Sequence, residues 1–560
     1  MQILETLLAP YAGLGDPALQ VKVAGSYPEL EYTVQYRESD LDFATRLMER
    51  FGISYHFTHK PGGHTLVLTD AADQHDAVPG GKRDYKPVDG ARQSGAEHFW
   101  EWHPARRMTT GAVRLTDYNF KTPTAAMEVN RAGDAGHAEG QIESYDYPGD
   151  YLDQGQGKDV AARRMLQERG QDARHRAVGD CTSLGAGMTV TLTGDQVSGV
   201  KGSDYLCLVA RHAYVSDAYG SGGADSDGAA YTGEYVLMPT NAPLAPERKT
   251  QMPVVQGPQT AVVVGEGEID CDEYGRILVH FHWDLEKAYS MRCRVSQNWA
   301  SGGWGGMVIP RIGMEVVVDF LEGDPDKPLV TGCVYNGKND PPYPLPEHKT
   351  RSTFRTQTHQ GAGFNELRFE DRAGEEEIFV HAQKDMNSKT EHNRSERVNA
   401  NKVESIGHSK AVEIGNNLHE VVDGDMELRV GPGNRGAFTP SGADAEVEGI
   451  KTVPLMLGTP GSAPKGSGNL SISVERTKAQ VIGENHHETV EGNKETEVRE
   501  NYTARVRKTI RIEAGDEIEL VCGQSRITMA SNGTIRINGQ KIMETGDALI
   551  SLKSDKIELN

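Results

Sequence analysis

The chain has few aromatic residues, few cysteines and no long apolar segment, and each shortage excludes a class of protein. Its six cysteines are spread over 560 residues without a C-x-x-C pair, so we expect neither a zinc ribbon nor a disulfide scaffold. No stretch approaches the roughly 20 apolar residues of a membrane-spanning helix. Residues 1–12 lack the basic start and apolar run of a secretory signal peptide. We therefore expect a protein made in a reducing compartment, which would need a dedicated machine to leave the cell.

Basic residues are also in short supply, because 59 Lys and Arg stand against 81 Asp and Glu, giving a net charge of −22. Non-specific nucleic-acid binding needs a basic face against phosphate, so no nucleic-acid partner is expected. Charge of this sign supports solubility and discourages binding to anionic membranes. With 63 Gly, 26 Pro and 7% aromatic residues, the composition is typical of a turn-rich β protein.

The familiar catalytic motifs G-x-S-x-G, H-E-x-x-H and G-x-x-x-x-G-K-[ST] do not occur. His280 and His282 share one face of a predicted strand, but no third metal ligand is near, and a polar strand face explains them better. Trp299 and Trp304 lie among glycines and suit either a sugar site or a subunit contact. The sequence therefore predicts no catalytic residue, no cofactor and no metal.

What the chain does have is an eight-residue period in its last third. Ten β-branched residues follow it in two blocks, and we call them the clock residues: Val398, Ile406, Ile414, Val422, Val430, Val474, Ile482, Val490, Val498 and Val506. Glycine comes one or two positions after six of them, and polar residues fill the intervals. Eight is not a multiple of 3.6 and the repeated residues are β-branched, so one short strand and one tight turn per repeat are favoured over a helix.

Such a repeat exposes about one apolar residue per turn and cannot bury a core alone. Several copies must wind together, so we predict an intertwined β-prism, a rigid rod made by more than one chain. The two blocks are out of phase, because 474 − 430 = 44 residues is not a multiple of eight. The segment between them is rich in Gly, Pro, Ala and Ser, and we interpret it as an interruption.

The region before the repeat mixes helix and strand. Ser39-Asp40-Leu41-Asp42 predicts a capping box, and the helix that follows should bury one face, made of Leu41, Ala44, Leu47, Met48 and Phe51, before Gly52 ends it. A second helix is predicted at about residues 158–174. Five or six short strands between residues 261 and 335 predict a small closed barrel.

Three long segments resemble a known family. They are YRESDLDF at 36–43, VDFLEGDP at 318–325 and GFNELRFED at 363–371. Together with the octads, they resemble the valine-glycine repeat protein G (VgrG) family, the spike proteins of bacterial type VI secretion. The first segment resembles the family's hub motif, the second its OB-like domain and the third its neck.

The resemblance implies a mainly β homotrimer similar to the spike of contractile phage tails, with an α+β hub, an OB-like small β-barrel and a C-terminal intertwined triangular β-helix. The clock residues would then line the trimer axis. The expected domains are a hub lacking its N-terminal part at 1–247, an OB-like barrel at 248–346, a neck at 347–397, a first octad block at 398–430, an interruption at 431–470, and a second block with the tip at 471–560.

The resemblance also implies partners and a function. A tube of Hcp would sit under the hub, effector proteins would be carried, and contact with the target membrane would be transient. A PAAR-repeat tip protein would bind the end of the rod, at Lys553, Ser554, Asp555, Lys556, Ile557, Glu558, Leu559 and Asn560. The spike would be assembled in the bacterial cytoplasm and delivered by type VI secretion into a target cell.

The expected function is therefore a non-enzymatic, membrane-puncturing spike. The alternative is a trimeric β-helical enzyme that degrades polysaccharide, like a phage tailspike. That enzyme would need paired carboxylates, and the octads offer only scattered acids such as Glu404, Glu413 and Glu420. A surface adhesin is a third possibility, disfavoured by the lack of a secretory signal.

Overall fold

The computed structural model describes residues 1–13, 17–87, 96–133, 142–194, 202–215, 230–424, 426, 428, 472, 474 and 476–558. The chain divides into two units, Met1–Lys389 and Thr390–Asn560. Val430, the whole of the predicted interruption at 431–470, and Leu559 and Asn560 lie outside the described residues. No helix in the described ranges is both long enough and apolar enough to cross a bilayer.

The described part of the first unit is mainly β. In chain order its α-helices and strands are α1 (Gln2–Leu8), β1 (Pro17–Val21), α2 (Asp40–Phe51), β2 (Ser54–Lys60), β3 (Gly63–Thr69), β4 (Ala77–Tyr85), β5 (His98–His103), β6 (Ala112–Leu115), β7 (Val129–Ala132), β8 (Glu143–Asp146), α3 (Gln154–Arg169), β9 (His175–Gly179), β10 (Thr189–Thr193), β11 (Asp204–Val215), β12 (Ala230–Pro239), β13 (Gln259–Val264), β14 (Leu278–Phe281), β15 (Arg294–Val295), β16 (Ala300–Ser301), β17 (Trp304–Gly305), β18 (Glu315–Phe320), β19 (Pro328–Val334), β20 (Arg351–Arg355), β21 (Glu366–Glu370) and β22 (Glu377–His381).

Helix α2 begins and ends where its sequence predicts. The Ser39 hydroxyl accepts a hydrogen bond from the Asp42 amide at 3.1 Å, and Gly52 ends the helix with a φ of 72°, which glycine adopts without strain. The predicted buried face is wrong at Leu41, which is 64% exposed, whereas Phe43 is 6% exposed. The physical reason is that Phe43, on the opposite side of the helix, packs against the buried Arg46 guanidinium at 4.8 Å.

A closed six-stranded barrel with the order β10-β11-β12-β9-β5-β4 forms the centre of this region. Its core contains Phe99, Tyr205, Tyr235 and Leu237, each at most 2% exposed, and the rings of Phe99 and Tyr235 meet edge to face at 5.6 Å. The pattern of the sequence did not predict this barrel. Beside it, the order β1-β3-β2 makes a three-stranded sheet, which shares a core with α2 through Ala44, Met48 and Leu68.

Helix α3 starts about four residues earlier than predicted and ends earlier too. Asp153 caps it by accepting a hydrogen bond from the Gln156 amide at 2.9 Å. Two glycines in the first turn lowered the expected helix propensity. Gly157 is needed there, because a Cβ at this position would lie 2.8 Å from the Tyr151 ring. The helix packs on the sheet of β6, β7 and β8.

The OB-like region is a five-stranded sheet with the order β14-β13-β18-β19-β15. Its two edges are joined by reciprocal hydrogen bonds between Ile277 and Cys293, with N···O distances of 3.0 and 2.7 Å. These bonds connect the chain beside the two edge strands, β14 and β15, as the small barrel predicted from the sequence requires. Strands β20, β21 and β22 then form a separate antiparallel sheet in that order, which we call the neck sheet.

The second unit carries the octads. Within its described residues from 390 to 424 and from 476 to 516, no strand pairs with another part of the chain. Instead the backbone bends directly after each clock residue, at 399–400, 407–408, 415–416 and 423–424, and again at 483–484, 491–492, 499–500 and 507–508. An antiparallel three-stranded sheet follows, made of β23 (Glu517–Cys522), β24 (Ser525–Ala530) and β25 (Ile535–Asn538).

Candidate functional site

The neck sheet leaves an apolar face open to water. Strand alternation and register put five large apolar side chains on one side of it. We call this the apolar neck face, and it consists of Phe354, Leu367, Phe369, Ile378 and Val380. These residues are between 39% and 69% exposed. Isolated exposed apolar residues are ordinary, but a contiguous group of this size marks a contact surface.

The opposite face of the neck sheet is charged and yet buried. Glu366, Arg368 and Glu370 are at most 7% exposed. The Glu366 carboxylate accepts hydrogen bonds from the Tyr343 hydroxyl at 2.7 Å and from the Thr353 hydroxyl at 2.8 Å. The Arg368 guanidinium donates to the Tyr343 hydroxyl at 2.8 Å and to Glu377 at 2.7 Å. Each of these three charged groups on β21 therefore has a polar partner on the covered side of the sheet.

Within a single chain, the neck sheet thus buries its polar face and exposes its apolar face. A sheet with one solvated face normally exposes its polar side and buries its apolar side. Here the polar side is covered within the first unit, and none of the described residues of that unit buries the apolar neck face. The GFNELRFED segment supplies both faces, because its residues alternate between the two sides of β21.

The clock residues are also only half covered. Those in the described residues are 42–55% exposed, whereas Val412, Leu418 and Val481, at other positions of the repeat, are 68–95% exposed. Val403 shares the lower exposure at 44%. Lower exposure therefore recurs at the eight-residue interval without being confined to it, and the place of the clock residues on a trimer axis is a prediction.

The backbone groups of the described octads, which have no intrachain strand partner, are a further reason to expect pairing with another chain. A buried N–H or C=O without a hydrogen bond is costly, so an extended segment is stable only when it is solvated or paired. The described octads have no intrachain ladder. A prism built from several chains would supply one and would leave no open strand edge along the rod.

Ion pairs repeat in step with the clock. Glu396 pairs with Lys402 at 3.0 Å and Glu404 with Lys410 at 2.8 Å, and Glu488 pairs with Lys494 in the second block. Each glutamate stands two residues before a clock position. Pairs this exposed add little stability, and in these three repeats their charged groups lie at the surface.

The hub motif and the OB motif meet at one buried junction. Arg46 on α2 donates to both carboxylate oxygens of Glu38 at 2.7–3.0 Å and to the Val34 carbonyl at 2.9 Å. Asp326, directly after the VDFLEGDP segment, accepts from the Val34 amide at 2.7 Å and from the Thr33 hydroxyl at 3.1 Å. Burial, reinforced by the charge of Asp324, raises the pKa of Asp326 to about 6.

The junction gives Glu38, in the first of these segments, a structural role. Arg46 and Glu38 side chains are 5% and 7% exposed, so each neutralises a charge that would otherwise be buried alone. Sequence reasoning identified both segments by resemblance but did not predict that they touch. The spacing of 292 residues between Val34 and Asp326 leaves no local signal for the contact.

The other candidate residues are occupied or separate. His280 Nε2 lies 2.8 Å from the Asp284 carbonyl, and His282 Nε2 lies 3.1 Å from the Thr260 hydroxyl. Among the described residues, no group of three or more His, Cys, Asp or Glu could hold a metal ion. Trp299 and Trp304 meet edge to face at 4.8 Å on the β16–β17 hairpin, and both rings are exposed.

The cysteines form no disulfide and fall into two groups. Cys181, Cys207 and Cys293 are buried, and Cys271, Cys333 and Cys522 are exposed. Burial raises the pKa of the Cys207 thiol to about 12, so this side chain behaves as a small apolar group rather than a nucleophile.

Three sequence families match successive parts of the chain. Residues 1–218 match the phage tail baseplate hub (GPD). Residues 259–335 match the type VI secretion system/phage-baseplate injector OB domain. Residues 352–449 match the bacteriophage T4 gp5 C-terminal trimerisation domain, a range that contains the apolar neck face and the first octads.

Curated relatives agree with these matches. The type VI secretion system spike protein VgrG1b of Pseudomonas aeruginosa is 39% identical over 410 residues, covering 71% of this chain and 54% of that protein. VgrG1a of the same organism is 39% identical over 409 residues, covering 70% and 62%. The actin cross-linking toxin VgrG1 of Vibrio cholerae is 36% identical over 409 residues, covering 71% and 36%.

The chain therefore spans about half the length of the curated relatives it matches. The shared identity runs over most of this chain, and the hub, the OB-like sheet and the neck are each matched by a family of the same architecture. Over most of its length the chain is therefore similar to the VgrG family of type VI secretion spike proteins.

Proposed function

We propose that the chain is a non-enzymatic, membrane-puncturing spike of a type VI secretion system, which acts as a homotrimer and carries a tip protein and effectors into target cells. The observation that carries the proposal is the reversed neck sheet. Its polar face is buried within the chain, its apolar face is open, and a repeat with half-covered clock residues follows it.

Three copies meet this need better than one. The apolar neck face lies within the range that matches a trimerisation domain, and three octad strands would close a prism without free edges. The clock residues Val398, Ile406, Ile414 and Val422 would point to its axis, followed by those of the second block. Covering them in this way is the main gain that offsets the roughly 1–2 kcal/mol of backbone entropy lost per ordered residue.

The ends of the trimer would bind different partners. We assign the hub end to a tube of Hcp, and the far end to a PAAR-repeat tip protein seated on Lys553 to Asn560. Of these tip residues, those up to Glu558 are described and exposed, and Lys556 forms an ion pair with Glu558. Effectors would travel with the spike from the cytoplasm into the target cell, so that contact with the target membrane is brief.

The mass of the purified protein tests the proposal most directly. Light scattering should give three times 61.1 kDa. In the host bacterium, deletion of the gene should reduce Hcp secretion and killing of target cells, and the wild-type gene should restore both. A well-behaved monomer with native secondary structure would contradict the trimer, and unchanged secretion and killing would contradict the spike.

The enzymatic alternative has a separate test. Purified trimer should release no fragments from peptidoglycan or surface polysaccharide. The Vibrio cholerae relative is named as a toxin, but this chain covers only 36% of it, and no feature of the described residues favours that activity here. Release of glycan fragments by the trimer would overturn the non-enzymatic assignment while leaving the spike architecture intact.

A further inference from the structure

A second sheet with an open apolar face lies beyond the matched trimerisation range. In the sheet of β23, β24 and β25, cross-strand register places two apolar triplets on the same side. We call this side the distal face, and it consists of Ile518, Leu520, Ile527, Met529, Ile535 and Ile537. All but Ile518, which is partly buried, are 36–65% exposed.

The opposite side of this sheet is polar. Glu519, Thr528 and Arg536 lie opposite one another across the three strands, and Glu519 pairs with Arg526 at 2.9 Å. The sheet is therefore amphipathic, and nothing among the described residues of its own chain covers the apolar side. It repeats the arrangement of the neck sheet, but at residues 517–538, well outside the range 352–449.

The distal face also keeps step with the clock. Cys522 stands 522 − 506 = 16 residues after Val506, which is two further periods. It pairs with Ser525 across the strands, and alternation along β23 puts it on the same side as Leu520 and Ile518. The eight-residue count of the clock thus reaches a residue of the distal side of the sheet.

The octads need such a feature because they share the same kind of residue at the clock position. A chain shifted by one repeat still offers a β-branched residue at every clock position, so the repeat alone specifies register weakly. The spacing of 44 residues from Val430 to Val474 is not a multiple of eight, so the count of the first block does not carry over to the second. Alignment at the neck therefore does not fix the alignment of the second block.

We propose that the distal face is a register clamp, on which the same faces of two other copies of this chain pack. The sheet folds within one chain and occurs once after the second block, so its contact with its counterparts is lost if any chain slips by a repeat. This contact fixes which octads of the second block lie side by side. The inference rests on the proposed trimer. It adds a second contact between chains, at residues 517–538, and gives that contact the role of fixing the register of the second block.

Cross-linking at Cys522 in the full-length chain tests the clamp. Cys271→Ser and Cys333→Ser leave Cys522 as the remaining exposed thiol, since Cys181, Cys207 and Cys293 are buried. A short bismaleimide adds one thiol to each of its two rings. In register, Cys522 of neighbouring chains should be joined, giving a dimer band on a denaturing gel that Cys522→Ser removes.

The clamp variant combines Ile527→Glu with Met529→Glu, and its matched control is Thr528→Glu. Thr528 lies between those residues on the polar side, where one neighbour is acidic and one basic, Glu519 and Arg536. The control should keep the dimer band. The clamp variant should lose it while light scattering still reports a trimer held by the neck and the octads. Dissociation of the clamp variant, with the control intact, would also support the contact.

Two results would overturn the clamp alone. They are a wild-type trimer in which Cys522 gives no dimer band, and a clamp variant that cross-links as strongly as Thr528→Glu. A monomeric wild-type protein would overturn the proposed trimer and the clamp with it, so the failure of each is recognised separately.

Discussion

Replacing Ile414 by aspartate tests the eight-residue register in depth. One chain leaves 44% of Ile414 exposed, and in the proposed prism two other copies would cover the remainder. Burying a whole isoleucine side chain contributes about 1.5–3 kcal/mol. The share covered on assembly therefore corresponds to about 1 kcal/mol per chain, or about 3 kcal/mol per trimer.

The three introduced carboxylates add a larger cost. They would meet around one axis in apolar surroundings, where burial and mutual repulsion raise the pKa of each. A rise of about two units costs about 2.7 kcal/mol per chain at pH 7. We therefore expect Ile414→Asp to destabilise the trimer by an amount on the order of 10 kcal/mol. Near pH 4 the carboxylates are protonated, and only the smaller loss of apolar burial should remain.

Asn417→Asp is the matched control, since it adds the same side chain three residues further along at an exposed position. It should change stability by less than about 0.5 kcal/mol. Lys410 would be a poorer control, because its ammonium pairs with Glu404 at 2.8 Å. Thermal unfolding followed by circular dichroism, with light scattering at pH 7 and pH 4, measures both variants. Equal melting temperatures for the two at pH 7 would refute the register.

Three further changes probe the junction and the tip. The pKa of the Asp326 carboxyl rises to about 6 in the fold, so in the wild type its contribution to stability is lost as the pH rises through that value. Asp326→Asn should therefore raise the free energy of unfolding by about 2 kcal/mol at pH 8 and leave it unchanged near pH 4. Urea unfolding at the two pH values measures this. A less stable variant at pH 8 would contradict this. Glu38→Gln should cost about 3 kcal/mol, because it leaves the buried Arg46 guanidinium without its counter-charge; the exposed Glu29→Gln should melt like the wild type, and equal melting of both would refute the junction. Removal of residues 551–560 should abolish capture of a PAAR-type protein in a pull-down while light scattering still reports a trimer, and capture by the shortened chain would move the tip site elsewhere.

The octads could be predicted because their signal is repeated. A single β-branched residue indicates little, but ten at a fixed interval define a register, and the structure shows its bends directly after the clock positions. The sequence could not show that a single chain leaves the described clock residues half exposed, or that its described octads form no strand pairs with one another. In the proposed trimer the burial of these residues depends on partner chains, and the pattern of one chain does not show how they are arranged.

The central barrel could not be predicted because its pairings are distant and carry no repeat. Strand β4 pairs in parallel with β10, which follows about a hundred residues later, and β11 and β12 contain mixed polar and apolar runs. The contact of Phe99 with Tyr235 likewise joins remote segments. Local capping chemistry, by contrast, located α2 correctly, because Ser39 and Gly52 act on their own neighbours.

The two units differ in how many side chains they bury. The five clusters of buried apolar residues all lie in the first unit, so its hub and OB-like region are stable within one chain. Among the described residues of the second unit, no side chain is fully buried. In the proposed trimer its ordering would therefore follow association, and the apolar neck face, whose opposite side is covered within the first unit, is the surface on which association would begin. On this proposal, a repeat whose described residues form no core of their own depends on a first unit that has one.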